Sequence, residues 1–343
     1  MVKRKSPTVL LTNDDGPPAK DSPFILSFVE SLHKQLGWTD VRVVIPSSQK
    51  SWIGKAYQIR DEIAVSYMHA SLESSEKPWT LLDGTPASCS NIALHNLYPG
   101  QIDLVLSGPN YGRNTSSAFA LSSGTIGAAL AASMAGVPAI ALSYGIFEKP
   151  IPDGCVQKAH DIACVVIEKL WNEVFAEHGH IADVYNINIP VFELSIPSQP
   201  NLMNYSQLSK SILQQSTKVA WTSMSKNRYG RLFAPVEDPS PDTEAEKEAE
   251  DAGPAAVATH SPSVDTSPSG EIPGLSPTRA FRFKPDISLL INPMPNMVVP
   301  GTDIHALHSG WCSVTPIRAT FELGEISDKI ETEEDNGKGL WKL

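Results

Sequence analysis

Cysteine is scarce in this chain. Four residues (Cys89, Cys155, Cys164, Cys312) are spread over 343, with no C-x-x-C pair among them. That argues against a disulfide framework and fits reduced thiols in a cytoplasmic protein. Long apolar runs are missing too: no stretch reaches the ~18–20 residues that span a bilayer. The opening Met1-Val2-Lys3-Arg4-Lys5 is basic, but the apolar run behind it is short and ends in Asn-Asp-Asp, so no signal peptide is expected. Positive charge is in deficit, with a formal net charge of −11. The deficit is local. Residues 236–279 hold ten acidic and two basic side chains, and residues 322–343 hold seven and three. The remaining chain is close to neutral, and nothing in its bulk charge points to nucleic acid.

What is present is a strand–helix alternation. Hydrophobic residues make up 41% of the chain, enough for a sizeable core. Residues 9–13, 41–46, 103–107, 139–143 and 184–189 read as strands, with minor strands at 63–67 and 79–82. Residues 22–36, 86–97, 124–135 and 155–178 read as helices. Near-continuous apolar strands separated by helices imply an α/β fold, a mainly parallel sheet covered on both faces. The expected organisation is a Rossmann-like core at 1–195, then β-type segments over 196–321 forming a smaller β-rich subdomain or arm. An acidic, Pro/Ser-rich insert at 236–279 is expected to be disordered, because it has too few large apolar residues to offset ordering entropy. Residues 322–343 read as a charged tail.

Four polar segments fall at strand ends, where open parallel sheets bind ligands. Asn13-Asp14-Asp15-Gly16 places two carboxylates side by side. Their repulsion raises one pKa unless a cation lies between them, although the tetrapeptide alone also makes a surface turn. Pro46-Ser47-Ser48-Gln49-Lys50-Ser51-Trp52 follows the second strand. Ser107-Gly108-Pro109-Asn110-Tyr111-Gly112-Arg113-Asn114 follows the strand at 103. Ser122-Ser123-Gly124-Thr125 opens the Ala-rich helix. Asp14 and Asp15, with Ser51 and Asn110 as neutral oxygens, suit magnesium or manganese. Ser123, Gly124 and Thr125 at a helix N-terminus suit a phosphate, while Ser123 is equally an N-cap.

Together these segments resemble the SurE family of survival-protein nucleotidases and phosphatases. The matching pieces also include Gly84-Thr85-Pro86-Ala87, Tyr185-Asn186-Ile187-Asn188-Ile189-Pro190, Gly301-Thr302-Asp303 and Gly310-Trp311-Cys312-Ser313-Val314-Thr315-Pro316. The resemblance implies a divalent-metal-dependent phosphomonoesterase acting on 5′- or 3′-nucleoside monophosphates and related phosphomonoesters, working as a homodimer or homotetramer. It implies metal ligands Asp14, Asp15, Ser51 and Asn110, and phosphate contacts at Ser123, Gly124 and Thr125 with Gly112 and Asn114 close by. Catalysis is expected of Asp14, Asp15, Asn110 and Ser123. Pro17-Pro18-Ala19 replaces the usual Ala-Pro-Gly, Ser88 stands where Asp is common, and Trp52-Ile53-Gly54-Lys55 is similar to the fungal acid-phosphatase-like branch.

Two other readings compete. Cys312 and Arg318 have the C-x-x-x-x-x-R spacing of a cysteine phosphatase, but the β-branched interior reads as a strand. A catalytically inactive nucleotide-binding or scaffold module is the non-enzymatic alternative. Adjacent carboxylates argue against it, since a metal-free binder does not need them. His95, His305 and His308 are candidate proton carriers, and Trp52, Tyr111 and Trp311 either stack on a base or pack in a core.

Overall fold

The computed structural model describes residues 4–69, 77–147, 149–175, 182–192, 218–235, 281–321, 332–335 and 338–341. Its centre is β1, Val9–Thr12, whose four residues are all buried. Val9 and Leu11 face one core and Leu10 the other, so an unbroken apolar run is what this position demands. β2 (Val41–Pro46) pairs parallel with one edge of β1, and β5 (Leu104–Tyr111) with the other. β4 (Trp79–Leu82) and the antiparallel β3 (Val65–Met68) extend the first side. β6 (Ala139–Ile146) and β7 (Val184–Val191) extend the second. The chain moves outward from β1 in one direction and returns to build in the other, so the switch point lies between β1 and β5.

One face is covered by α1 (Ile25–Ser31) and α5 (Cys155–Lys169), which pack Phe28, Ala163 and Ile167 against Leu11, Ile45 and Leu106. The other is covered by α2 (Pro86–Ile92) and α4 (Gly124–Met134). α4 meets the sheet through Ala129 and Ala132, small side chains that let the helix lie close. Each fully buried Leu, Ile or Phe contributes roughly 1.5–3 kcal/mol by leaving water. Among the described residues no single helix is long and apolar enough to cross a membrane.

The sheet continues into the C-terminal half. β11 (Cys312–Ile317) runs antiparallel to β7, and β8 (Val219–Trp221) lies parallel beside β11, giving nine strands. β9 (Phe233–Pro235) and β10 (Phe281–Phe283) form a separate two-stranded ribbon. A short α6 (Ser288–Ile291) and α7 (Asp303–His308) complete this half. The expected insert at 236–279 and most of the tail lie outside the described residues.

Several boundaries differ from the sequence reading. α1 starts at Ile25 rather than at residue 22, because Ser22 belongs to the loop after β1, where its Oγ donates to the Gly16 carbonyl at 2.8 Å. β5 does not stop at Ser107. Gly108-Pro109 reads as a turn, but the strand bulges there and resumes pairing at Asn110 and Tyr111. Gly108 permits this: its φ is +126°, and a Cβ would sit 2.1 Å from the Leu142 carbonyl oxygen. The segment after Trp221 leaves strand geometry until Phe233, and β11 ends at Ile317.

Candidate functional site

The turn after β1 is built by its outer residues, which frees the inner two. Asn13 Nδ2 donates to the Gly16 carbonyl at 2.9 Å, and the Gly16 amide donates back to Asn13 Oδ1 at 3.1 Å. Asp14 and Asp15 are thereby directed inward, and both are buried.

Asp14 faces the N-terminus of α4. Thr125 donates its amide to Asp14 Oδ2 at 3.0 Å and its hydroxyl to Oδ1 at 2.6 Å. A carboxylate at a helix start gains from both the free N–H groups and the dipole. Gly124 makes the approach possible, since a Cβ there would lie 2.8 Å from Asp14 Cβ and 3.0 Å from its Oδ2. The main-chain oxygen of Asp14 accepts from the Lys50 amide at 2.7 Å, bringing in the loop after β2. Ser51 is the next residue along.

Asp15 is less satisfied. Its Oδ2 accepts from the Tyr111 amide at 2.8 Å, but its buried Oδ1 has no hydrogen-bond partner among the described residues. Burial pushes the Asp15 carboxyl well above its ordinary value, and the Asp14 charge pushes it further. Burial also raises Asp14, against the opposing bonds from Thr125. Two buried, adjacent carboxylates with an orphaned oxygen are a cation-binding arrangement by their chemistry. Among the described residues no three His, Cys, Asp or Glu side chains gather at one point. A cation held here therefore has two carboxylates and neutral oxygens as its protein donors.

Asn110 comes from the end of β5, just past the bulge. Its Nδ2 donates to the Gly112 carbonyl at 2.9 Å, which fixes the direction of the amide. The Gly112 amide bonds the carbonyls of Asn110 and Tyr144. The structure thus brings Asp14, Asp15, Asn110, Gly124, Thr125 and the Lys50–Ser51 backbone to the switch point.

Three expected phosphate residues have other work in this geometry. Both donors of Thr125 go to Asp14. Ser123 Oγ caps α4 by accepting from the Ile126 amide at 3.1 Å. Asn114 is buried in a side-chain network: its amide donates to Asn188 Oδ1 at 2.7 Å, its Nδ2 to Ser143 Oγ at 2.9 Å, and its carbonyl accepts from Asn186 at 2.8 Å. All three are buried, and the capping bond of Ser123 uses its oxygen and not its hydroxyl hydrogen.

The sequence reading missed Lys50, buried beside the turn. It gave no role to the Asn186–Asn188 pair, which it named only within a matching segment, although two polar residues at i and i+2 in an otherwise apolar strand were a visible signal. It assigned no role to Asp303, whose carboxylate accepts from the amides of Ser116, Ser225 and Ile304. Of the histidines, His308 shares a 3.2 Å hydrogen bond with Arg113, and burial pushes it down to about 4. Cys312 lies buried in β11 with its thiol pushed up to about 12 by burial, which leaves no thiolate for a cysteine mechanism. Trp52 packs edge-on against Phe119 and Phe283, and Tyr111 against Phe24.

The family described as Survival protein SurE matches residues 9–231. A Saccharomyces cerevisiae protein described as a probable tubulin–tyrosine ligase, PBY1, is 30% identical over 96% of this chain and 43% of its own length. This chain therefore spans less than half of that relative. The 5′-nucleotidase SurE of Synechococcus sp. (strain CC9311) is 28% identical, over 67% of this chain and 74% of that protein. The one from Christiangramia forsetii is 34% identical over 55% and 67%. The crystal structure of the SurE protein from Aquifex aeolicus superposes with a TM-score of 0.56 at 22% identity, covering 92% of this chain and 95% of that one.

Proposed function

Because the chain belongs to the SurE family, we propose that it is a divalent-metal-dependent phosphomonoesterase whose substrates are nucleoside monophosphates and related esters. The observation that carries this reading is the buried Asp14–Asp15 pair, with Asp15 Oδ1 left unpartnered, at the switch point of a parallel sheet. The relatives named as 5′-nucleotidases supply the substrate class. The ligase named in the yeast relative is not carried over, because more than half of that protein has no counterpart here.

Asp14 and Asp15 hold the cation, with Ser51 and Asn110 as neutral oxygen donors; magnesium or manganese fits an all-oxygen set. When bound, the cation supplies Lewis acidity toward a phosphoryl oxygen and makes water a better nucleophile near neutral pH. The protein's own part is positional. Thr125 fixes both oxygens of Asp14, and the Tyr111 amide fixes one oxygen of Asp15. Past the bulge in β5 the strand resumes at Asn110, next to the Tyr111 amide that holds Asp15. The N-terminus of α4 is held by Asp14 through Thr125, and the Ser123 hydroxyl at that end donates to the substrate's phosphoryl group. A dimer or tetramer is supported by the exposed Phe233 and Phe281 on the β9–β10 ribbon.

The test is phosphate release from a nucleoside monophosphate panel and p-nitrophenyl phosphate, with magnesium, manganese or EDTA. Asp14→Asn, folded, is expected to lose activity by at least about a hundredfold, as EDTA does. Turnover that stays at the wild-type, metal-loaded level in EDTA and in the variant overturns the assignment. A folded wild type that binds nucleotide but turns over nothing with any metal is the scaffold-module outcome.

A further inference from the structure

A cavity of about 410 Å³ opens at the other end of α4 from the paired carboxylates. It is lined by Lys55, Tyr57, Asn91, His95 and the last turn of α4, including Met134. Gly124 touches Asp14, and Met134 lies ten residues further along the helix, roughly 15 Å away at 1.5 Å per residue. The two sites are therefore separate, and the volume lies in the range of small-molecule pockets.

The walls divide by chemistry. Met134 and Ala131 of α4, with Ala135 just past its end, make an apolar side, with Met134 66% exposed. Tyr57 presents a ring that is 41% exposed. Lys55 Nζ sits 4.7 Å from the centre of that ring and 3.4 Å from its hydroxyl. Asn91 adds an amide and His95 an imidazole, and no lining residue is acidic. The carbonyls at the end of α4 are engaged by the amides of Ala135, Gly136 and Val137, which weakens the negative end of the helix toward an anion. A cation beside an aromatic ring, with an amide and an apolar wall, suits a ligand that is anionic at one end and planar at the other.

We propose that this cleft is a second binding site for a nucleoside monophosphate, with the phosphate at Lys55 and His95 and the base against Tyr57 and Met134. The choice of ligand rests on the phosphatase reading, while the cleft does not. The site adjoins the loop that carries Ser51: the Gly54 amide donates to the Ser122 carbonyl at 2.8 Å, and Gly54 and Lys55 lie directly on Gly127 of α4.

Calorimetric titration of the full chain with magnesium tests this, using the phosphonate analogue of AMP in which CH₂ replaces the bridging ester oxygen and blocks hydrolysis. Two equivalents are expected to bind wild type. The double variant Lys55→Gln, His95→Gln is expected to bind one, the other weakening by at least about tenfold, while its turnover of p-nitrophenyl phosphate stays unchanged. Asp14→Asn is expected to keep the equivalent that the double variant loses. A single equivalent in wild type that survives the double substitution overturns the proposal. Two equivalents in a wild type with no turnover leave the cleft standing and remove the phosphatase reading instead.

Discussion

Replacing Asp303 by alanine takes the acceptor from three backbone donors at once. Its Oδ2 accepts from the Ser116 amide at 2.7 Å, and its Oδ1 from the amides of Ser225 and Ile304 at 2.9 and 2.8 Å. The side chain is fully buried, as are Ser116, Ser225 and Ile304. A buried donor left without an acceptor costs about 1–3 kcal/mol. Even at the low end of that range, Asp303→Ala loses roughly 3 kcal/mol of stability. Asp303→Asn keeps one acceptor oxygen, so it loses only the bond that its new NH₂ cannot make, about 1–3 kcal/mol. Burial raises the Asp303 carboxyl above its ordinary 3.8, against the pull of the three amides. The folded protein therefore holds that proton more tightly than the unfolded chain does. Stability falls as pH rises from 3.8 through the raised value, and Asp303→Asn removes this fall. Urea unfolding followed by tryptophan fluorescence, at pH 7 and across the acid range, measures both effects. An Asp303→Ala protein within about 1 kcal/mol of wild type, the cost of one lost bond, would refute the reasoning.

Gly124→Ala puts a methyl 2.8 Å from Asp14 Cβ and 3.1 Å from the Lys50 carbonyl oxygen. Such overpacking costs about 1–3 kcal/mol, and activity is expected to drop at least tenfold, about what a displaced metal ligand loses; thermal unfolding and p-nitrophenyl phosphate turnover check this. His160 is buried between Tyr144 OH at 2.7 Å and Ser27 Oγ at 2.9 Å, and burial pushes it down to about 4. Its depressed value means that stability falls as pH drops from 6.5 to about 4, by up to roughly 3 kcal/mol. In His160→Gln that slope disappears from the pH-dependent unfolding curve. Cys312→Ala is expected to keep phosphatase turnover; its abolition in a folded variant would revive the cysteine mechanism.

The parallel core was legible because its strands are short apolar runs and helical stretches separate them. Leu10 and Leu11 belong to opposite cores, and no turn chemistry interrupts them. The carboxylate turn was legible for a similar reason: Asp14 and Asp15 follow an apolar strand directly. What stayed hidden were pairings between distant segments. Thr125 carries no mark that its partner is Asp14, 111 residues earlier. β11 meets β7 through Ser313 and Asn188, and no local period in either stretch specifies the other. Gly108-Pro109 carries the signal of a turn, and only the closeness of the Leu142 carbonyl turns it into a bulge within a strand. Asp303 stood in the sequence only as the end of the segment Gly301-Thr302-Asp303, because its importance lies in which amides converge on it.

Phe281 is paired directly with Pro235, so the two ends of the 45-residue stretch between them lie at adjacent points. Strands in register lie about 5 Å apart, and doubling the length of a loop closed over such a gap adds only about 0.6 kcal/mol. The ribbon is in that sense a splice point. Sequence can be lengthened, shortened or exchanged for a foreign domain there while the nine-stranded sheet keeps its registers, so this position is free to diversify at a rate that the carboxylate turn is not.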